Sequence, residues 1–178
     1  MENSPSSNGK ILTTLLLFCI LVSIGVHGYL TSHYYPLQYG FATGDAVCNV
    51  NEAFNCDAVA ASTYSTFFSI PLSVWGLATN FMLFVSVLVF WLGLSEKREL
   101  WGRISVYLST LTLGASLVMA TLSLTQLSVY CLFCILLYIL SIAIFGLAAK
   151  LIGFPQIKDI QSDLAGFFGS QKALASSF

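Results

Sequence analysis

The sequence predicts an all-α integral membrane protein, a four-transmembrane-helix bundle with a cysteine-bearing loop outside the cytoplasm. Three observations carry that reading. Of 178 residues, 57% are hydrophobic and only 8% charged, with mean hydropathy +0.83, against about 25% charged in a soluble domain. Four apolar stretches each approach the roughly 20 residues that a hydrocarbon core of about 30 Å requires. The seven basic residues fall into three groups set apart by those stretches: Lys10; Lys97, Arg98 and Arg103; Lys150, Lys158 and Lys172. A net charge of -1 offers no basic surface for nucleic acid.

Residues 1–10 form a polar, Ser- and Asn-rich tail. Ile11 to Leu30 is the first span. Lys10, the apolar stretch and Val26-His27-Gly28 also resemble the three regions of a signal peptide, but the stretch exceeds an h-region of about 7–15 residues, so a retained anchor is expected. Thr31 to Thr66 reads as the loop, with turn signals at Pro36, Gly40 and Gly44 and a helix-compatible run from Ala58. The second span covers about 70–94, with Pro71 in its first turn, where no backbone donor is needed. Ser95 to Arg103 is a short charged turn. Ile104 to Ala149 is 46 nearly unbroken apolar residues, about 69 Å as a helix, and no bilayer takes that as one span. The polar cluster Thr121, Ser123, Thr125, Gln126 and Ser128 marks the reversal, giving spans near 104–125 and 129–149. The four spans make one domain, 11–149. In the tail, 150–178, Phe154, Ile157, Ile160, Leu164, Phe167 and Phe168 suit an interfacial helix.

Charge placement orients the bundle. The loop 31–66 holds no Lys or Arg and carries Asp45, Glu52 and Asp57. By the positive-inside rule both termini are cytoplasmic and the loop is extracytoplasmic, where disulfides persist. The turn between spans three and four lies on the same side. Two cysteine pairs therefore share one membrane face: Cys48 and Cys56 in the loop, Cys131 and Cys134 opening span four.

Cys131-Leu132-Phe133-Cys134 is a C-x-x-C whose two residues are neighbours on one helix face, within disulfide range. No Lys, Arg or His is expected beside it, so the helix N-terminus is the main activation predicted for a thiolate. Cys48 and Cys56 would stand about 12 Å apart on an unbroken helix, too far to bridge. If they pair, the intervening chain must bend, and Asn49, Asn51 and Asn55 suit turns. Such a disulfide, exposed on a flexible loop, would be open to another protein's thiols. The competing readings are two structural disulfides or a four-thiolate zinc site, the latter with only one pair at ligand spacing. Cys19, in mid-span, reads as a small buried apolar residue; His27 and His33 read as isolated structural residues.

These residues resemble the vitamin K epoxide reductase family, in particular its bacterial and plant members, over about 45–145. Cys48…Cys56-Asp57-Ala58-Val59-Ala60-Ala61-Ser62-Thr63-Tyr64 resembles the family's C…C-D-x-V-x-x-S-x-Y. Ile70-Pro71 followed by Gly76 resembles its I-P-x-x-x-x-G, and Cys131-Leu132-Phe133-Cys134 with Tyr138 completes the pattern. The resemblance implies a helical bundle around a quinone such as ubiquinone or menaquinone, capped by the loop. It implies Cys134 nearest the ring, Cys131 as its partner, Cys56 exchanging with Cys131, and Cys48 facing a redox partner. Ser62 would support the site and Tyr138 would hydrogen-bond a quinone oxygen.

Two departures shape the expected function. The animal enzymes have an asparagine four residues before the span-two glycine, where Leu72 stands here. Asn80 lies four residues after Gly76, and that role is not carried over to it, which favours a plain quinone over the epoxide as acceptor. Many bacterial relatives carry a fused thioredoxin-like domain, so here a separate thioredoxin-like or DsbA-like extracytoplasmic partner is expected. The reading is a thiol:quinone oxidoreductase that supports disulfide-bond formation and uses no metal. The lack of a transit peptide points to a bacterial inner membrane, with the loop periplasmic. A DsbB-like oxidase keeps its C-x-x-C in the first loop rather than in span four. The remaining alternative is a non-catalytic assembly subunit stapled by two disulfides.

Overall fold

A computed structural model describes residues 7–41, 44–155 and Asp163. Four helices are long and apolar enough to cross a membrane: α1 (Ser7–Tyr39), α3 (Leu72–Leu92), α4 (Arg98–Gln126) and α5 (Leu132–Ile152), with the short α2 (Cys56–Ala60) in the loop. They pack in a ring, α1 on α3, α3 on α4, α4 on α5 and α5 back on α1. The core of the ring is Leu16 and Ile20 of α1, Leu83 and Val87 of α3, and Ile144 and Ala148 of α5. Large apolar residues such as Phe18, Leu117 and Ile139 face outward, while Ser86, Ser105, Ser109 and Ser141 are buried. Each of those four hydroxyls donates to a carbonyl of its own helix. Small, self-satisfied polar residues inside and bulky apolar ones outside is the packing that lipid imposes on helices.

Element ends differ from the sequence reading, each for a local reason. α1 does not stop near Leu30 but runs to Tyr39, with Pro36 inside it, so nine residues assigned to the loop are helical. It ends where Gly40 takes φ +74°, a left-handed conformation that glycine adopts without a Cβ penalty. α3 begins at Leu72 because Ile70 and Pro71 are committed to a strand. α4 begins at Arg98, inside the turn predicted to extend to Arg103. Arg98 Nε donates to the Phe90 carbonyl, 2.8 Å away, and the guanidinium lies 5.1 Å from the Phe90 ring, tying α4 to the end of α3. The reversal into α5 occupies Leu127–Cys131, just beyond most of the polar cluster. Thr121 and Thr125 lie within α4, each with its hydroxyl satisfied by a carbonyl four residues back.

The helix-compatible run from Ala58 yields only α2, which starts at Cys56 and is capped by the Asn55 side chain accepting from the Ala58 amide. A 3-10 turn (Thr63–Ser65) and a hairpin follow, β1 (Thr66–Phe67) against β2 (Ile70–Pro71), paired Thr66 with Pro71 and Phe67 with Ile70. Its turn residues, Phe68 and Ser69, have φ of 52° and 62°, as a two-residue type I′ turn demands. Beyond α5, Arg103 holds Asp163 in a two-pronged ion pair at 2.9 and 2.8 Å. Of the predicted interfacial helix only Phe154 is described, outside any helix; Ile157, Ile160, Leu164, Phe167 and Phe168 lie outside the described residues.

Candidate active site

Cys48 and Cys56 form a disulfide with Cα atoms 5.9 Å apart, and asparagines make the required bend. Asn51 Oδ1 accepts from the Ala53 and Phe54 amides. Asn49 Oδ1 accepts from the Cys56 amide at 2.7 Å, drawing the far end of the loop back to its start. One expectation is overturned: the disulfide is not exposed. Cys48 is 2% and Cys56 4% accessible, packed in one cluster with Ala46 and Cys131.

That packing has a backbone cause. Phe54 pairs with Tyr130 in an isolated parallel bridge. The Tyr130 amide donates to the Ala53 carbonyl at 2.8 Å, and the Asn55 amide donates to the Tyr130 carbonyl at 3.0 Å. The loop is thus stitched to the chain one residue ahead of Cys131, and the disulfide is seated on the second cysteine pair. Cys131 and Cys134 are free thiols. Cys131 is the N-cap of α5 rather than a residue of its first turn, and its Sγ accepts from the Cys134 amide at 3.1 Å. Its pKa is pulled below the ordinary thiol value, most strongly by the Cys134 side chain. The Cys134 and Phe133 amides add to this, and burial opposes it. The neighbouring thiol thus joins the helix end, the activation expected, in favouring the Cys131 thiolate.

Below the cysteines lies a cavity of about 240 Å³ inside the ring, bordered by Cys56, Cys131, Cys134, Tyr138, Ser62 and Tyr64 at the cysteine end. All the residues singled out in the sequence border it except Cys48, which reaches it only through its bond to Cys56. Ser62 donates its hydroxyl to the Val59 carbonyl at 2.7 Å, a bond that folds the end of α2. The walls are mainly apolar, among them Leu30, Val59, Leu72, Leu111 and Leu137.

Ser23, His27, Asn80 and Ser141 are among the other polar residues that border the cavity. His27 is therefore not the isolated structural residue expected, Asn80 borders the cavity although no site role was carried over to it, and Ser23 and Ser141 went unread in the sequence. His27 and Gly76 are so close that a Cβ on Gly76 would overlap the imidazole. Asn80 Nδ2 donates to the Gly76 carbonyl at 2.9 Å. Asn80 Oδ1 and His27 Nδ1 are buried without a hydrogen-bond partner. Orphaned buried polar atoms cost about 1–3 kcal/mol each and mark a place where a ligand with polar ends belongs.

A profile of the vitamin K epoxide reductase family matches residues 14–149, which takes in the four membrane helices, the loop and both cysteine pairs. The chain belongs to the vitamin K epoxide reductase family. No curated protein matches it closely enough to compare. Family membership makes it an integral membrane oxidoreductase of thiol and quinone chemistry, and the disulfide beside two thiols is the machinery such chemistry needs. Among the described residues, no three His, Cys, Asp or Glu side chains gather as a metal site.

Asp57, part of the family signature, has a structural task that the sequence did not disclose. Its Oδ1 takes His33 Nε2 at 2.7 Å; its Oδ2 takes Asn49 Nδ2 at 2.7 Å and the Ala46 amide at 3.2 Å. Burial alone would raise its pKa, but the Ala46, His33 and Asn49 hydrogen bonds and the His33 charge together hold it below the ordinary value of 3.8. His33 is accordingly not an isolated residue.

Proposed function

We propose that this protein is a thiol:quinone oxidoreductase that takes electrons from an extracytoplasmic thioredoxin-like partner and delivers them to a membrane quinone. The single observation that carries the reading is the seating of the Cys48–Cys56 disulfide on Cys131, with Cys131 and Cys134 bordering one cavity. Electrons enter when a partner thiolate attacks Cys48 and the loop pair is reduced. Cys56 thiolate then attacks Cys131 of an oxidised Cys131–Cys134 pair, forming a Cys56–Cys131 bond and releasing Cys134 thiolate. Cys48 attacks Cys56, closing the loop disulfide and freeing Cys131. Two electrons have moved inward, and the arrangement left is the one described above: a disulfide outside and two thiols inside.

The residues around the cavity fit a quinone. At about 240 Å³ it falls just under the range of about 300–1,000 Å³ for small-molecule sites, a size for a ring rather than a ring with its polyprenyl tail. Tyr138 and His27 Nδ1 are placed to donate to ring oxygens, Asn80 Oδ1 to accept from a ring hydroxyl once the quinone is reduced, and the walls are mainly apolar. The quinone supplies a two-electron, two-proton acceptor, and the Cys131 and Cys134 thiols supply both electrons and both protons. The proposed setting is a bacterial inner membrane with the cysteine loop periplasmic; the absence of basic residues from the loop supports that orientation.

The test is quinone reduction by purified protein in detergent with a dithiol donor. Cys134→Ala should abolish turnover. Cys48→Ala should block a thioredoxin-like protein donor but leave turnover with a small dithiol that reaches the inner pair directly. Unchanged turnover in Cys134→Ala would end the mechanism.

A further inference from the structure

We infer that Tyr29 and His33, one turn apart on α1, form a clasp that seats the loop disulfide on Cys131, and that both are positioning residues for electron transfer between the cysteine pairs. The inference rests on the thiol-to-quinone reading above. The Val47 amide, just ahead of Cys48, donates to the Tyr29 hydroxyl at 2.9 Å. His33 Nε2 bonds the Asp57 carboxylate, just after Cys56, at 2.7 Å. The Tyr29 ring stacks on the His33 ring at 5.9 Å and 7°, and meets the Phe133 ring edge-on at 5.3 Å and 86°. Phe133 lies between Cys131 and Cys134. One face of one helix thus touches the chain neighbours of Cys48, Cys56 and Cys134. Asp57 spreads the grip of His33 to both sides of the loop through Asn49 and the Ala46 amide.

The buried disulfide gives the clasp its consequence. With Cys48 2% accessible, a protein thiolate reaches it only after the loop lifts, whereas exchange between Cys56 and Cys131 needs the loop seated. Loosening the clasp therefore has opposite effects on two half-reactions. Reduction of the loop disulfide from outside becomes faster, and transfer from the loop pair to the inner pair becomes slower. A residue that merely stabilised the fold would not divide its effects that way.

Fully reduced enzyme holds four electrons, so excess quinone should be reduced in two phases. Cys131 and Cys134 reduce the first quinone and become a disulfide. Cys48 and Cys56 then pass their pair inward, and the second quinone is reduced; two disulfides and two hydroquinones result. Rapid mixing of full-length protein in detergent with a short-tailed benzoquinone reads both phases. His33→Ala should leave the fast phase unchanged and slow the second about tenfold, the worth of one partly exposed charge-assisted hydrogen bond. Tyr29→Phe should do the same more weakly, and His33→Gln, which keeps a donor toward Asp57, should restore the rate. With Cys131 and Cys134 replaced by Ala, dithiothreitol should reduce the remaining loop disulfide about tenfold faster in His33→Ala, read by maleimide–polyethylene glycol gel shift. Equal slowing of both phases, or no change in either variant by either readout, would overturn the clasp. Absence of the fast phase in wild type would instead defeat the thiol-to-quinone reading, and the gel-shift arm would still decide the clasp.

Discussion

Asn80→Leu separates the cost of the cavity from its use. Asn80 is 1% accessible, its Nδ2 donates to the Gly76 carbonyl at 2.9 Å, and its Oδ1 has no partner. Leucine branches at the same carbon, so shape is nearly conserved. Removing the orphaned oxygen recovers about 1–3 kcal/mol, and losing the Nδ2 bond costs about 0.5–1.5 kcal/mol. The Gly76 carbonyl is not stranded, because the backbone amide four residues on is its ordinary helical partner. The net expectation is a ligand-free protein more stable by about 1 kcal/mol, or about 2–4 °C in Tm. Function should move the other way. If Oδ1 accepts from a ring hydroxyl of the hydroquinone, its loss should cost about tenfold in hydroquinone affinity, and added hydroquinone should raise Tm less in the variant than in wild type. The assay is thermal unfolding in detergent across a hydroquinone titration, with product inhibition of turnover by the same hydroquinone. A variant destabilised by about 2 kcal/mol or more, with the product inhibition and the hydroquinone-induced shift both unchanged, would refute the reasoning.

Two further outcomes are expected. Gly76→Ala places a Cβ into the His27 imidazole; the ring must turn away, at about 1–3 kcal/mol of overpacking, and KM for quinone should rise more than kcat falls. Asp57 carries a pH dependence. Its folded pKa is depressed below 3.8, so the anion's hold on the loop is complete above that value and is lost as pH falls through the folded pKa. Hydrogen exchange at the Ala46 amide, corrected for intrinsic rates, should show protection at about pH 5 that fades toward about pH 3, while Asp57→Asn should be less protected at pH 5 and flatter across the range. Equal protection in both proteins at both pH values would remove Asp57 as the anchor.

Much of the architecture was legible because length and apolarity decide it. Four stretches near 20 residues can only be membrane helices, and Cys131-Leu132-Phe133-Cys134 announces its chemistry by spacing. The helix ends were not legible, since each depends on a local competitor for the backbone. Gly40 halts a helix that Thr31 to Tyr39 were not expected to join, and strand pairing withholds Ile70 and Pro71 from α3. Serines inside the ring carry no periodic signal, because both faces of a membrane helix are apolar.

What the sequence by itself determined was the class of molecule, the common membrane face of the two cysteine pairs and the need for a bend if Cys48 and Cys56 were to pair. Those are consequences of solvent, charge and short-range turn chemistry. Only the tertiary structure decided that the disulfide is buried against Cys131 and that Asp57 grips His33 across 24 positions of chain. Nor does any local pattern bring His27 against Gly76 or leave Asn80 Oδ1 without a partner. Burial and partnership between distant residues exist only once the helices have closed their ring, and it is those relations that bring the two cysteine pairs together.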